Sequence, residues 1–117
     1  MASSAGLLAV ALTGFPVGID IERLTDIDPL PLAVLHPDEV AWLGPAPTSV
    51  QFLSLWTAKE AFVKLKGRGF RIPPETFAVR LDGDNAIVRH AGAVSRFHRE
   101  TLVHREPPAP FVATCIY

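Results

Sequence analysis

The chain has 117 residues, a length that suits one domain, and 49% of them are hydrophobic, enough for a real core. A net charge of -1 excludes a broad electrostatic attraction to nucleic acid or to a membrane surface. A single cysteine, Cys115, excludes an internal disulfide and gives no sign of an oxidising compartment; set in an apolar run, it reads as a small buried side chain rather than a nucleophile.

Residues 7–12, Leu-Leu-Ala-Val-Ala-Leu, form a short apolar run of the kind found in a strand covered on both faces. A signal peptide or membrane span is the competing reading. No basic residue precedes the run, it leads straight into an acidic segment, and it falls far short of the roughly 20 residues of a spanning helix. The expectation is a core strand of a soluble cytoplasmic protein. Thr13-Gly14-Phe15-Pro16 has turn chemistry, and residues 17–22 then alternate, so the two runs read as a hairpin. Val17, Ile19 and Ile21 point one way; Gly18, Asp20 and Glu22 point the other. Asp20 and Glu22 thus leave one face about 6.6–7 Å apart at the backbone. Two carboxylates alone read as a solvent-facing strand side, and a hard divalent cation is the other way to hold such charges together. Gly18, on the same face, leaves room for a ligand to approach the backbone.

Residues 25–49 are rich in proline and read as a connection with short helical pieces. Residues 37–43 are one such piece, with proline in the first turn and acids near the N-terminus. His36 reads as a cap or surface residue, because no second His or Cys lies at ligand spacing. Residues 50–66 contain neither glycine nor proline and predict the central helix, with Ser49 as N-cap and Gly67 as C-cap. Phe52, Leu55, Trp56, Phe62 and Val63 recur at the spacing of a buried stripe. Glu60 and Lys64 lie one turn apart off that stripe, and Lys59 lies beside it. Taken alone, Glu60 and Lys64 are a solvated ion pair worth only a few tenths of a kcal/mol.

Gly67-Arg68-Gly69-Phe70 follows as a flexible turn carrying a cation. Residues 77–81 alternate, Asp82-Gly83-Asp84-Asn85 is a hairpin turn, and residues 86–90 and 95–104 are further strands. Arg96, His98, Arg99 and Arg105 are expected on an exposed face of the last of these. Pro107-Pro108-Ala109-Pro110 is a stiff connector, and residues 111–117 close the sheet. The fold class is α+β: one domain over residues 1–117, an antiparallel sheet packed on one long helix.

Three acids from a strand and a helix (Asp20, Glu22, Glu60), with Lys59 and Lys64 nearby, have the composition of an oxygen-ligand cation site beside a phosphate site. Magnesium favours a few carboxylates together with substrate phosphate oxygens, and lysines bind phosphates as point charges. The competing readings are a surface cluster of ion pairs and a module that binds without catalysis.

The segments Val-Gly-Ile-Asp-Ile-Glu and Trp-Thr-Ala-Lys-Glu-Ala-Phe-Val-Lys resemble the 4′-phosphopantetheinyl transferases, in the surfactin-synthetase-activating form. Gly67-Arg68-Gly69-Phe70 and the strand at residues 77–81 look like the family's continuation, and the resemblance runs over essentially the whole chain. The resemblance implies a reaction: coenzyme A supplies its phosphopantetheine arm to a serine of an apo carrier protein of fatty acid, polyketide or nonribosomal peptide synthesis, releasing adenosine 3′,5′-bisphosphate. By motif position, Asp20, Glu22 and Glu60 would hold Mg2+ against the diphosphate. Glu60, directly or through a water on the metal, would help deprotonate the serine. Lys64 would stabilise charge on the phosphates or the departing group, and Lys59 and Arg68 would be further coenzyme A contacts.

Two departures from the family pattern bear on this. Larger members of the class are two similar halves in one chain with coenzyme A between them, and this chain resembles only the second half. The family's Ser-His-Ser-Gly motif is matched here by Ser3-Ser4-Ala5-Gly6, so the phosphate-contacting histidine is replaced by Ser4, which can donate a hydrogen bond but brings no charge. Short members of the family complete the cleft by self-association, so a homodimer or homotrimer is expected here.

Overall fold

The computed structural model describes residues 2–4, 7–9, 16–67 and 71–117, with backbone alone for 2–4 and 7–9. Its strands are β1 (Ala2–Ser4), β2 (Leu7–Ala9), β3 (Gly18–Arg23), β4 (Ala78–Asp82), β5 (Asn85–His90), β6 (Ala93–His104) and β7 (Phe111–Ile116). Its α-helices are α1 (Pro37–Leu43) and α2 (Ser49–Lys66). Five strands form one antiparallel sheet in the order β3-β7-β6-β5-β4, and α2 lies across one face of it, against β3 and β7 above all. This is the expected α+β arrangement of an antiparallel sheet on one long helix. Among the described residues no helix is long and apolar enough to cross a membrane.

Of the five strands in this sheet, the first in sequence, β3, pairs with the last, β7. β3 is an edge strand held by β7, with Asp20 opposite Thr114. The expected hairpin between residues 7–12 and 17–22 turns on residues 10–15, which lie outside the described residues; residues 7–9, as β2, pair with β1 in a two-stranded ladder. Local alternation can propose a strand, but it cannot choose between a neighbour in sequence and one at the far end of the chain.

α2 runs where it was expected, and its start is chemically specific. The cap is Thr48 rather than Ser49: Thr48 Oγ1 accepts from Gln51 N at 3.1 Å, and Gln51 Oε1 accepts from Thr48 N at 2.8 Å. This reciprocal pair satisfies two of the donors that a helix start leaves open. Ser49 Oγ instead accepts from Ile27 N at 3.0 Å and ties down the proline-rich connection. At the other end Gly67 is the C-cap, with φ 114°. Only glycine adopts that conformation without strain.

The buried face of α2 is wider than a single stripe. Phe52, Leu55 and Phe62 are buried as expected, and Leu53, Thr57, Ala58, Lys59 and Ala61 are buried with them. Phe62 packs on Phe77 with ring centroids 5.3 Å apart, above Val79, Ala86, Val88, Val112 and Ile116 from the sheet. Each such side chain contributes about 1.5–3 kcal/mol when fully buried.

β6 presents Arg96 and His98 to solvent, and Arg105 just beyond it is exposed too, but Arg99 turns the other way. The strand period of two forbids 98 and 99 from sharing a face. Arg99 donates to Thr101 Oγ1 at 3.0 Å and to the Gly83 carbonyl at 2.5 Å, bracing the β4–β5 turn. Cys115 is half-buried rather than buried, and burial pushes its thiol up from the ordinary value, away from the thiolate a nucleophile needs.

Candidate functional site

Gly18 sets the distance between β3 and α2. A Cβ at this position would stand 1.7 Å from the Ala61 carbonyl oxygen and 3.0 Å from Leu65 Cβ. The room that glycine leaves is therefore taken by the helix backbone, not by a ligand, which corrects the reading of Gly18 as a ligand-approach position. The alternation of β3 then places Asp20, two residues on, on the same helix-facing side. Asp20 is 4% exposed, so the solvent-facing reading of this carboxylate does not hold.

The consequence is a charged cluster at the seam between strand and helix. Lys64 Nζ donates to Asp20 Oδ1 at 2.6 Å. The other oxygen, Asp20 Oδ2, is buried and makes no hydrogen bond among the described residues. Burial pushes the Asp20 carboxyl above its ordinary value, against the opposing pull of Lys64 and of a hydrogen bond with the Glu22 side chain. Glu60 is raised too, first by burial and then by the negative charge of Asp20, with Lys64 and Lys59 opposing. Asp20, Glu22, Glu60 and Lys64 thus act on one another across the seam, although they come from distant stretches of the chain.

The acids are neighbours without being a closed ligand cluster. Among the described residues no group of three or more His, Cys, Asp or Glu side chains is gathered as a metal cage. At Asp20 an ammonium group, that of Lys64, holds one of the two carboxylate oxygens. The donor set still suits a hard divalent cation. All the candidate donors are carboxylate oxygens, one of them is buried without a partner among the described residues, and the local charge of Asp20 and Glu60 exceeds what Lys64 alone neutralises. An orphaned buried carboxylate oxygen is costly, and a cation is the ligand that would offset that cost.

Beneath this cluster runs a line of hydroxyls. Thr57 Oγ1 lies 2.7 Å from Thr114 Oγ1, which lies 3.0 Å from Thr101 Oγ1. Thr57 Oγ1 also donates back to the Leu53 carbonyl at 2.8 Å. These bonds join α2 to β7 and β6 through Thr114, the residue that Asp20 faces in register. Sequence periodicity missed them because a threonine on a buried stripe looks like a small apolar residue.

Lys59 does not join the site. It is 0% exposed, donates to Glu39 Oε1 and to the Phe77 carbonyl at 2.7 Å each, and lies 4.0 Å from the Phe77 ring centroid. The expectation that it contacts a coenzyme A phosphate is corrected: one residue along a helix turns the side chain by about 100°, away from Glu60 and into the core. Its partner Glu39 was missed by the sequence reading. The signal available was the spacing His36-x-x-Glu39 at a helix start, the pattern of a capping box. His36 is the cap, accepting from Asp38 N through Nδ1 at 3.0 Å, as expected of a structural histidine. Arg68 lies outside the described residues, and so does the side chain of Ser4, whose backbone belongs to β1.

The groove beside α1 is a different place. A cavity of about 430 Å³ between α1, α2 and β4 is lined by Trp42, Val50, Leu55 and Arg80, and none of Asp20, Glu22, Glu60 or Lys64 borders it.

Comparison with known proteins connects the chain to a family. The description of the 4'-phosphopantetheinyl transferase superfamily matches residues 16–115 of this chain. The 4'-phosphopantetheinyl transferase gsp of Aneurinibacillus migulanus is 39% identical over 82 residues, covering 67% of this chain and 35% of that protein. The 4'-phosphopantetheinyl transferase psf-1 of Bacillus pumilus is 40% identical over 81 residues, covering 63% of this chain and 34% of its own length. The 4'-phosphopantetheinyl transferase Sfp of Bacillus subtilis (strain 168) is 35% identical over 78 residues, covering 62% and 34%. The chain spans about a third of the length of each of these relatives.

Proposed function

The chain belongs to the 4'-phosphopantetheinyl transferase superfamily, and from that premise we propose that it moves the 4′-phosphopantetheine arm of coenzyme A onto a serine of an apo carrier protein, with magnesium held by Asp20, Glu22 and Glu60. The observation that carries this reading is the buried Asp20 carboxylate, one oxygen on Lys64 and the other without a partner among the described residues, with Glu60 near enough to feel its charge.

The transfer forms a bond from the serine oxygen to the phosphorus on the pantetheine side of the diphosphate. The bond from that phosphorus to the adenosine bisphosphate oxygen breaks, and the electron pair leaves with the bisphosphate. Glu60 receives the serine proton. Lys64 reaches the seam from a side chain 41% exposed, so its ammonium group can serve phosphate oxygens entering from solvent as well as Asp20. Bound at the three acids, magnesium would neutralise the diphosphate and the charge that builds up on the leaving oxygen. The rest of the catalysis is positioning, supplied by β3 and α2 through their contact at Gly18.

A second reading follows from length. A chain spanning about a third of its relatives can be a half that binds coenzyme A or a carrier protein without transferring anything. On the transferase reading, self-association as a homodimer or homotrimer supplies the other wall of the cleft. Incubation of the chain with magnesium, coenzyme A and an apo carrier protein separates the two. A gain in the carrier's mass of one phosphopantetheine arm supports transfer; binding of either component without that gain supports the module.

A further inference from the structure

We infer that Glu39 and Lys59 form a positioning pair for the transfer site, setting the rotation of α2 that aims Glu60 and Lys64 at β3; this rests on the transferase reading above. Glu39 Oε1 accepts from Lys59 Nζ at 2.7 Å and from His36 N at 2.9 Å, and Glu39 Oε2 accepts from Val79 N at 2.7 Å. Lys59 gives its other donors to the Phe77 carbonyl at 2.7 Å and to the face of the Phe77 ring. Both side chains are 0% exposed. A buried ion pair with every polar atom engaged has one geometry, so the three elements that meet in it, α1, α2 and the start of β4, are fixed relative to one another.

The helix itself transmits that constraint. Glu60 stands about 100° around the axis from Lys59, and Lys64, five residues on, about 140°, so both emerge on the same flank. On that flank Gly18 meets the Ala61 carbonyl and Lys64 meets Asp20. The helix is gripped on one side by Glu39 and on the other by the glycine contact. A rotation of about 10° carries a side-chain tip on a helix of this radius through about 1 Å. That displacement is enough to cost about a hundredfold in a reaction that depends on alignment.

The test separates positioning from phosphate contact and from simple stability. Lys59→Met leaves the Glu39 carboxylate buried and unpaired, and a lower melting temperature is expected. Glu39→Gln/Lys59→Met removes both charges while Gln keeps an acceptor for Val79 N, and should recover most of the melting temperature. Glu39→Asp keeps both charges but shortens the tether by one methylene, and serves where the double variant does not fold. For the folded double variant or Glu39→Asp, kcat for carrier modification is expected to fall at least tenfold, with KM for coenzyme A within twofold of the parent. A crystal structure of the same variant should show the Lys64–Asp20 contact lengthened from its 2.6 Å. A folded variant with parental kcat and an unchanged Lys64–Asp20 contact overturns the proposal, and so does a raised KM at unchanged kcat, which would mark Lys59 as a ligand contact. If the parent chain transfers nothing, the structural readout alone decides: a lengthened contact upholds positioning while the transferase reading falls.

Discussion

Asp20 and Glu60 are carboxyls whose burial raises their proton affinity above the ordinary values of 3.8 and 4.5. The folded state then binds protons that the unfolded chain has already released. Stability without a divalent cation should therefore rise as pH falls from neutrality through the raised native values, and level off near the ordinary ones. The urea midpoint in chelator is the measurement, and the increment should shrink in Asp20→Asn. A midpoint that falls steadily over the same acid range would show that Asp20 and Glu60 do not carry this penalty. Adding magnesium near neutral pH should raise the midpoint of the parent chain and leave Asp20→Asn nearly unmoved, because ligand binding to the native state stabilises by mass action. On the proposed roles, Glu60→Gln should lower carrier modification by about a hundredfold or more, the scale of a lost acid–base group. Unchanged turnover would remove Glu60 from the chemistry.

Elements hold these residues in place, and their junctions are where single changes tell. Gly18→Ala puts a methyl group into the Ala61 carbonyl, so β3 and α2 must separate. Overpacking of this kind costs about 1–3 kcal/mol. The expected result is a lower urea midpoint with a larger loss of transfer than of stability, since the moved elements carry the seam. Thr48→Ala removes the cap of α2 and should cost about 1 kcal/mol. Its effect on transfer should be small, because the cap lies three turns from Glu60. Ser49→Ala tests the same point from the other side. It removes the acceptor for Ile27 N and should loosen the proline-rich connection without shortening α2.

At the scale of the whole molecule, the described residues hold a five-stranded antiparallel sheet with the long helix α2 on one face, together with a two-stranded ladder, and the chain spans about a third of its relatives' length. On the sheet face turned away from α2, Leu102 is exposed and Cys115 is half-buried, while Val94 is exposed towards the start of β6. Self-association should appear as a solution mass above that of one chain at micromolar concentration, and as a dependence of transfer rate on chain concentration. A single-chain mass together with full transfer would mean that one copy suffices.

The motifs of this protein were legible because they are local. Alternation through residues 17–22, an uninterrupted helical stretch ending at Gly67 and the Glu60/Lys64 spacing each depend only on neighbours along the chain, and α1, α2 and the strands after residue 77 stand where those patterns put them. What the sequence could not assign was the partner of each side chain. Lys59 and Glu60 are adjacent long charged residues, yet one closes a buried pair with Glu39 while the other lies beside Asp20. Gly18 could make space for a ligand or for a helix, and only the packing of α2 on β3 chose the helix. Sequence by itself determined the family and which residue types stand where, because propensity and motif spacing are short-range. Tertiary structure decided which charges are buried, which meet and which are spent on holding the helix, because those depend on contacts between segments tens of residues apart.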